Sequence, residues 1–169
     1  MSDGKKKTIE TMAVEGDWNV GAYQFKAPTL LPEFAAGLKE GKLIGTLCRG
    51  CGKVIVPPRN ICGRCHRRME DRIVVSDKGT ISVFVMSEPV QKDKFKLFGM
   101  DPIDMGLLKE GEVIMPVFVR FDGSDSNVHT VLINADPKEV RVGMRVKAVF
   151  AKERKGALSD LEGVEPLEE

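Results

Sequence analysis

The sequence predicts a mainly β protein: an N-terminal helical arm, a small metal-stapled ribbon, then a five-stranded barrel. Three observations lead there. All four cysteines fall in two C-x-x-C pairs within eighteen residues. From residue 73 onward, short β-branched runs alternate with turn signals and carry almost no helical periodicity. The one clear helical pattern, Thr29 to Gly41, lies ahead of both. These divide the chain into an arm and helix (1–41), a ribbon (42–72), a barrel (73–155) with a long insert at 88–112, and an acidic tail (156–169).

Composition sets the outer bounds. At 169 residues there is room for one modest domain plus a small stapled module. Hydrophobic residues at 42% and charged residues at 30% describe an ordinary globular chain. A formal net charge of +1 supplies no overall attraction to nucleic acid or membrane. Lys5-Lys6-Lys7 gives a basic start, but no apolar run follows it, so export is not expected. No stretch reaches the roughly 18 apolar residues of a membrane span. A cytoplasmic location is the expectation, and thiols stay reduced there.

Residues 1–28 are mixed, with Trp18, Tyr23 and Phe25 as large anchors before Pro28. They read as an irregular arm that docks through its aromatics. From Thr29 the pattern turns helical: Pro32 suits a first turn, Glu33 favours the N-terminal end, and Leu31, Phe34, Ala35 and Leu38 form an apolar stripe. Gly41 stops it. Lys42 to Leu47 is then a strand leading into the first cysteine pair.

The pairs are Cys48-Arg49-Gly50-Cys51 and Cys62-Gly63-Arg64-Cys65, separated by ten residues. Two residues between cysteines make a tight turn that aims both sulfurs at one point. Two such turns supply a tetrahedral zinc shell with bonds of about 2.3 Å. Gly50, Gly52 and Gly63 stand where such turns need backbone freedom. The gap is short, but Val54-Ile55-Val56 followed by Pro57-Pro58 still allows a hairpin, giving a rubredoxin-like zinc ribbon. A thioredoxin-like redox pair would need one C-x-x-C opening a helix in a βαβ unit, which is not evident. A catalytic zinc would keep a position open, and four thiolates close the shell. His66 could compete as a ligand, yet four cysteines already suffice, so it reads as a surface histidine. The zinc is structural.

After the ribbon come Ile73 to Val75, Thr80 to Met86, Val113 to Phe121, Val128 to Asn134 and Gly143 to Ala151, punctuated by turns such as Asp122-Gly123-Ser124-Asp125. Four or five short strands fit a five-stranded OB-type barrel. Asp160, Glu162, Glu165, Glu168 and Glu169 make the tail read as a solvated terminus without a basic partner.

The 88–112 connection is too apolar for a plain loop. It holds Phe95, Leu97, Phe98, Met100, Ile103, Met105, Leu107 and Leu108. It is either a flap over one end of the barrel or a partner-docking surface, for which Phe95, Phe98, Met100 and Met105 are the candidate contacts.

In combination these features resemble the zinc-ribbon OB-fold family long called domain of unknown function 35. The matching residues are Gly41 with Leu43, Cys48-x-x-Cys51-Gly52, Pro57-Pro58-Arg59, Cys62-x-x-Cys65, Lys78-Gly79-Thr80 and Val140-x-x-Gly143-Met144-x-Val146. They span about Pro32 to Lys152. Arg67-Arg68 and the Met-containing insert depart from the pattern. The resemblance implies a non-catalytic subunit that braces a thiolase-fold enzyme and helps shape its acyl-CoA site. Some such thiolases cleave aromatic β-oxoacyl-CoA esters, and the chain length and long insert suit one of these.

The residues agree that chemistry belongs elsewhere. A thiolase step needs a nucleophilic cysteine with a histidine or second cysteine as base. Here every cysteine is assigned to zinc, and His66 and His129 are the only histidines. Coenzyme A would require cations for its phosphates. Residues 48–72 carry Arg49, Lys53, Arg59, Arg64, Arg67, Arg68 and Arg72 against Glu70 and Asp71. Part of that charge balances a zinc tetrathiolate, while Arg59, Arg64, Arg67 and Arg68 are candidate phosphate contacts. Ribbons and OB barrels also bind single-stranded nucleic acid, which wants stacking aromatics among basic residues. Phe84, Phe118, Phe121 and Phe150 lie in the barrel strands without that basic company, which disfavours the alternative. A free-standing acyl-carrier chaperone is a third possibility.

Overall fold

The computed structural model describes residues 28–94, 96 and 99–167. The arm aromatics Trp18, Tyr23 and Phe25, the insert residues Phe95, Leu97 and Phe98, and Glu168 and Glu169 lie outside the described residues.

The first element follows directly from its sequence. Helix α1 (Leu31–Lys39) has a proline in its first turn, where its missing N–H costs nothing, and Glu33 near its N-terminus and Lys39 in its last turn complement the helix dipole. Phe34, Gly37 and Leu38 face inward. Gly37 is needed for the packing, because a Cβ there would come within 2.6 Å of the Ile44 side chain. Gly41, at φ +72°, ends the helix and turns the chain into β1 (Leu43–Leu47).

Strand β1 is the centre of a three-stranded antiparallel sheet between β2 (Val54–Ile55) and β3 (Asp71–Val75). Strand β3 pairs along the whole of β1, from Leu43 opposite Val75 to Leu47 opposite Asp71. The Ile73–Val75 run therefore belongs to the ribbon, and the expected barrel start at residue 73 is corrected. Its partner is β1, which carries the complementary apolar edge.

The second sheet has five strands, β4 (Lys78–Phe84), β5 (Pro116–Phe121), β6 (Val128–Val131), β7 (Arg145–Phe150) and β8 (Leu161–Pro166), in the order β6-β5-β4-β7-β8. All neighbours in it are antiparallel. A parallel bridge between Leu132 and Val164 joins the two ends, with the Ile133 N–H donating to the Val164 carbonyl at 2.8 Å. That closure makes the sheet an OB-type barrel. Gly79 permits it locally, since a Cβ would sit 2.8 Å from the Arg120 carbonyl oxygen.

The expected acidic tail at 156–169 is overturned between Leu161 and Pro166. Val164 is fully buried, Glu165 pairs with Lys147 at 3.1 Å, and Asn134 donates to Glu165 at 2.9 Å. Asp160 is also buried and accepts from the backbone N–H groups of Lys155, Gly156 and Ala157. The segment looked solvated because its acids are frequent; its apolar residues, Leu161 and Val164, were too sparse to read as a strand.

One core runs through all three parts. Phe34 and Leu38 of the helix, Leu43, Val54 and Val56 of the ribbon, and Ile81, Phe121, Val146 and Val164 of the barrel form a single buried cluster. Each such side chain contributes roughly 1.5–3 kcal/mol by leaving water. The ribbon edge is also hydrogen-bonded to the barrel turn at 122–127, through Asp125 to Val54 and through Ser126 to Val56.

Candidate metal centre and docking surfaces

The four cysteines meet because two turns of the same kind face each other. In the first, the Cys48 N–H donates to the Lys53 carbonyl at 2.8 Å and the Gly52 N–H to the Cys48 carbonyl at 2.8 Å. In the second, the Cys62 N–H donates to the Arg67 carbonyl at 2.9 Å and the His66 N–H to the Cys62 carbonyl at 3.0 Å. Gly52 and His66 hold equivalent places and both adopt the left-handed conformation, with φ of 70° and 57°. His66 is thus a turn residue with an exposed side chain, outside the cluster of ligand atoms.

The sulfurs of Cys48, Cys51, Cys62 and Cys65 all lie within 4.8 Å of one another, with Cys48–Cys65 at 3.4 Å and Cys51–Cys62 at 3.6 Å. A tetrahedral zinc with bonds of about 2.3 Å requires sulfur–sulfur edges of about 3.8 Å. The donor set fits that ion. Backbone N–H groups of Cys65 and Arg64 also pull the Cys62 thiol down to about 6, toward the thiolate that zinc takes. Gly50 leaves the room required, because a Cβ would meet the Arg67 side chain at 2.7 Å and the Cys65 sulfur at 3.2 Å. Cys48, Cys62 and Met69 form the ribbon's own small core, so the metal site replaces the apolar interior this module lacks.

The structure sorts the basic residues of the ribbon. Arg49 pairs with Asp71, Lys53 with Asp125 and Arg72 with Glu33. Arg59, Arg64, Arg67 and Arg68 are exposed and, among the described residues, form no ion pair. The sequence named these four without distinguishing them by pairing.

The insert is organised by a residue that the sequence reading did not single out. Asp101 is buried and accepts from the N–H groups of Asp93 at 2.6 Å and Ile103 at 2.8 Å. Around it Val90 and Pro102 are buried, while Met100, Met105 and Leu107 face outward. A second exposed apolar strip crosses the barrel. Val83 on β4 lies opposite Phe118 on β5, and the Phe118 ring sits 5.1 Å from that of His129 on β6. Phe118 is 43% exposed, whereas Phe121 is fully buried and Phe84 and Phe150 pack against the core. The barrel's phenylalanines therefore do not form the stacking row that single-strand binding uses. Among the described residues, no helix is long and apolar enough to cross a membrane.

Fold and site together define a zinc-ribbon protein with an OB-type barrel. The sequence model for the ChsH2 rubredoxin-like zinc ribbon domain matches residues 35–70. A DUF35 domain-containing scaffold protein of Methanothermobacter thermautotrophicus is 30% identical over 114 residues, covering 66% of this chain and 74% of that protein. The chain belongs to the DUF35 family. A DUF35 domain-containing scaffold protein of Methanocaldococcus jannaschii is 27% identical over 111 residues, covering 65% of this chain and 68% of that one. Two solved structures share the fold. A DUF35 protein of unknown function from Sulfolobus solfataricus superposes with a TM-score of 0.53 at 22% identity, covering 69% of this chain and 75% of that one. A chain described as Ltp2-ChsH2(DUF35) aldolase gives a TM-score of 0.54 at 14% identity, covering 85% of this chain and 98% of that one.

Proposed function

We propose that this chain is the non-catalytic zinc subunit of a thiolase-type acyl-CoA acyltransferase complex, bracing a catalytic chain of thiolase fold. The observation that carries the reading is the convergence of all four cysteines on one point. Those thiols are committed to metal, so the nucleophile for acyl transfer belongs to a partner. Two comparisons support this: the curated relatives are scaffold proteins, and one fold neighbour is a DUF35 chain named together with Ltp2 as an aldolase.

The apolar strips supply contact area for the partner, with Val83, Phe118, Met100 and Met105 as the described contributors. Phe95 and Phe98 are proposed beside them from the sequence. Arg59, Arg64, Arg67 and Arg68 are the cations left for the coenzyme A phosphates at the interface. An aromatic β-oxoacyl-CoA is the proposed acyl substrate, and a cytoplasmic location suits four cysteines kept reduced as ligands.

The test is co-expression with a candidate thiolase-fold chain from the same organism, followed by native mass spectrometry and acyl-CoA cleavage assays. A stable hetero-complex whose activity needs both chains is expected. Separate chains, with catalysis unchanged when this one is omitted, would overturn the reading.

A further inference from the structure

The two cysteine turns match residue for residue, yet they are fastened differently. Lys53 and Arg67 close them in the same way, each carbonyl accepting the N–H of its turn's first cysteine, Cys48 or Cys62. Their side chains then diverge. Lys53 pairs with Asp125 of the barrel, and Arg49 of the same turn pairs with Asp71 on β3. Among the described residues, no side-chain hydrogen bond or ion pair joins the 62–67 turn to the barrel. The Arg67 side chain crosses instead to the first turn. A Cβ added at Gly50 would stand 2.7 Å from Arg67 Cδ, 3.2 Å from its Nε and 3.2 Å from the Cys65 sulfur. The arginine stem therefore lies on the bare face of Gly50, with its charge on the side where a ligand sulfur sits.

Gly50 strengthens this reading. Unlike Gly52, it has no left-handed φ, so the turn itself does not demand a glycine there. The crossing side chain does. Four thiolates around Zn2+ leave a net charge of about −2, which a guanidinium at this place offsets. A metal site opens locally where its ties are fewest, and here that is the second turn. We infer that Arg67 is a positioning residue for the metal centre, a latch that holds the 62–67 turn against the first and slows escape of zinc through that side. This latch goes beyond the scaffold role and needs no catalytic partner.

The test is the rate of zinc transfer from the full-length zinc protein to excess 4-(2-pyridylazo)resorcinol. Arg67→Ala should release zinc several-fold faster. Arg64→Ala and Arg68→Ala remove the same charge nearby and should stay within about twofold of wild type. Arg67→Lys keeps a long stem and a cation and should recover most of the slow release. Lys53→Ala cuts the tie to the barrel, so it should lower the urea midpoint with little change in release. Gly50→Ala evicts the stem from the other side and serves if Arg67→Ala folds poorly. It should speed release in the wild-type chain and add much less once Arg67→Ala has emptied the space. Cobalt-loaded Arg67→Ala should keep a tetrahedral thiolate spectrum, placing the effect on escape rather than on the ligand set. Release from Arg67→Ala at the wild-type rate would overturn the inference. So would equal acceleration in Arg64→Ala and Arg68→Ala, which would make the effect one of overall charge, or a cobalt spectrum that shows a lost ligand.

Discussion

Val54 and Asp125 hold each other twice: the Asp125 N–H donates to the Val54 carbonyl at 2.8 Å, and the Val54 N–H donates to the Asp125 carboxylate at 3.0 Å. The two residues are 71 positions apart, one on the ribbon's edge strand and one in a barrel turn. Lys53 adds an ion pair to the same carboxylate, and Ser126 repeats the arrangement on Val56. The ribbon is therefore built into the barrel wall, and whatever the zinc site does for the ribbon it also does for the barrel.

Asp125→Ala should lower stability by about 1–2 kcal/mol, since it removes one charge-assisted hydrogen bond and a half-exposed ion pair. Asp125→Asn keeps an acceptor for the Val54 N–H and should cost less. Urea unfolding at neutral pH measures both. Equal stability of Asp125→Ala and wild type would show that this contact is not what joins the two parts.

The same contact gives a pH dependence with a definite sign. The hydrogen bond from Lys53, then that from the Val54 N–H, holds the Asp125 carboxyl below its usual range. A carboxyl whose folded-state pKa is depressed stabilises the fold fully above its unfolded value of about 4. That stability is lost as pH falls through the folded value. The difference in unfolding midpoint between wild type and Asp125→Asn should thus be constant from pH 7 to about 5 and shrink at lower pH. Zinc loss in acid is common to both proteins and cancels in the difference.

Removing the metal should have a larger effect. Structural zinc contributes apparent binding free energies of roughly 10–16 kcal/mol in small fingers, comparable to the entire net stability of a domain, about 5–15 kcal/mol. Chelation, or Cys62→Ser, should melt the ribbon and, through Val54 and Val56 in the shared core, lower the barrel's thermal transition too. Metal analysis should find one zinc per chain before treatment. A barrel that melts at the same temperature with and without zinc would contradict the shared core.

His66 should tolerate the residue that its counterpart already has. It occupies the left-handed place that Gly52 fills in the first turn. His66→Gly should leave zinc stoichiometry at one and stability equal or higher by up to about 1 kcal/mol, while His66→Ile should cost about 1–2 kcal/mol. Loss of zinc in His66→Gly would make the histidine a ligand after all.

The zinc site was fully legible because its signal is local: two C-x-x-C turns specify four ligands without any knowledge of the fold. The helix and most strands were legible for the same reason, as with the Leu31–Leu38 stripe and the β-branched run at Thr80. Sheet membership was not. Ile73–Val75 looks like any β-branched run, and only pairing with Leu43–Leu47 assigns it to the ribbon. Asp101 and Asp125 were equally hidden, since an aspartate that accepts backbone N–H groups has the same sequence signature as one in water. The partition of the arginines depended on which carboxylates the fold brought near, as with Asp71 beside Arg49 across 22 residues.

The C-terminal strand offers the sharpest contrast between what the acids imply and where the chain runs. In a solvated tail, Val164→Asp and Glu162→Lys would both be neutral. In β8, Val164 is fully buried in the core shared with Ile81 and Val146, while Glu162 faces solvent. Val164→Asp should therefore cost about 3–5 kcal/mol, because it places a charge without a partner in the barrel. Glu162→Lys should stay within about 0.5 kcal/mol of wild type. Hydrogen exchange supplies an independent check: the Ile133 amide, which donates to the Val164 carbonyl, should be protected in wild type and exposed in Val164→Asp. Rapid exchange at Ile133 in the wild-type protein would mean that the barrel is open at this seam.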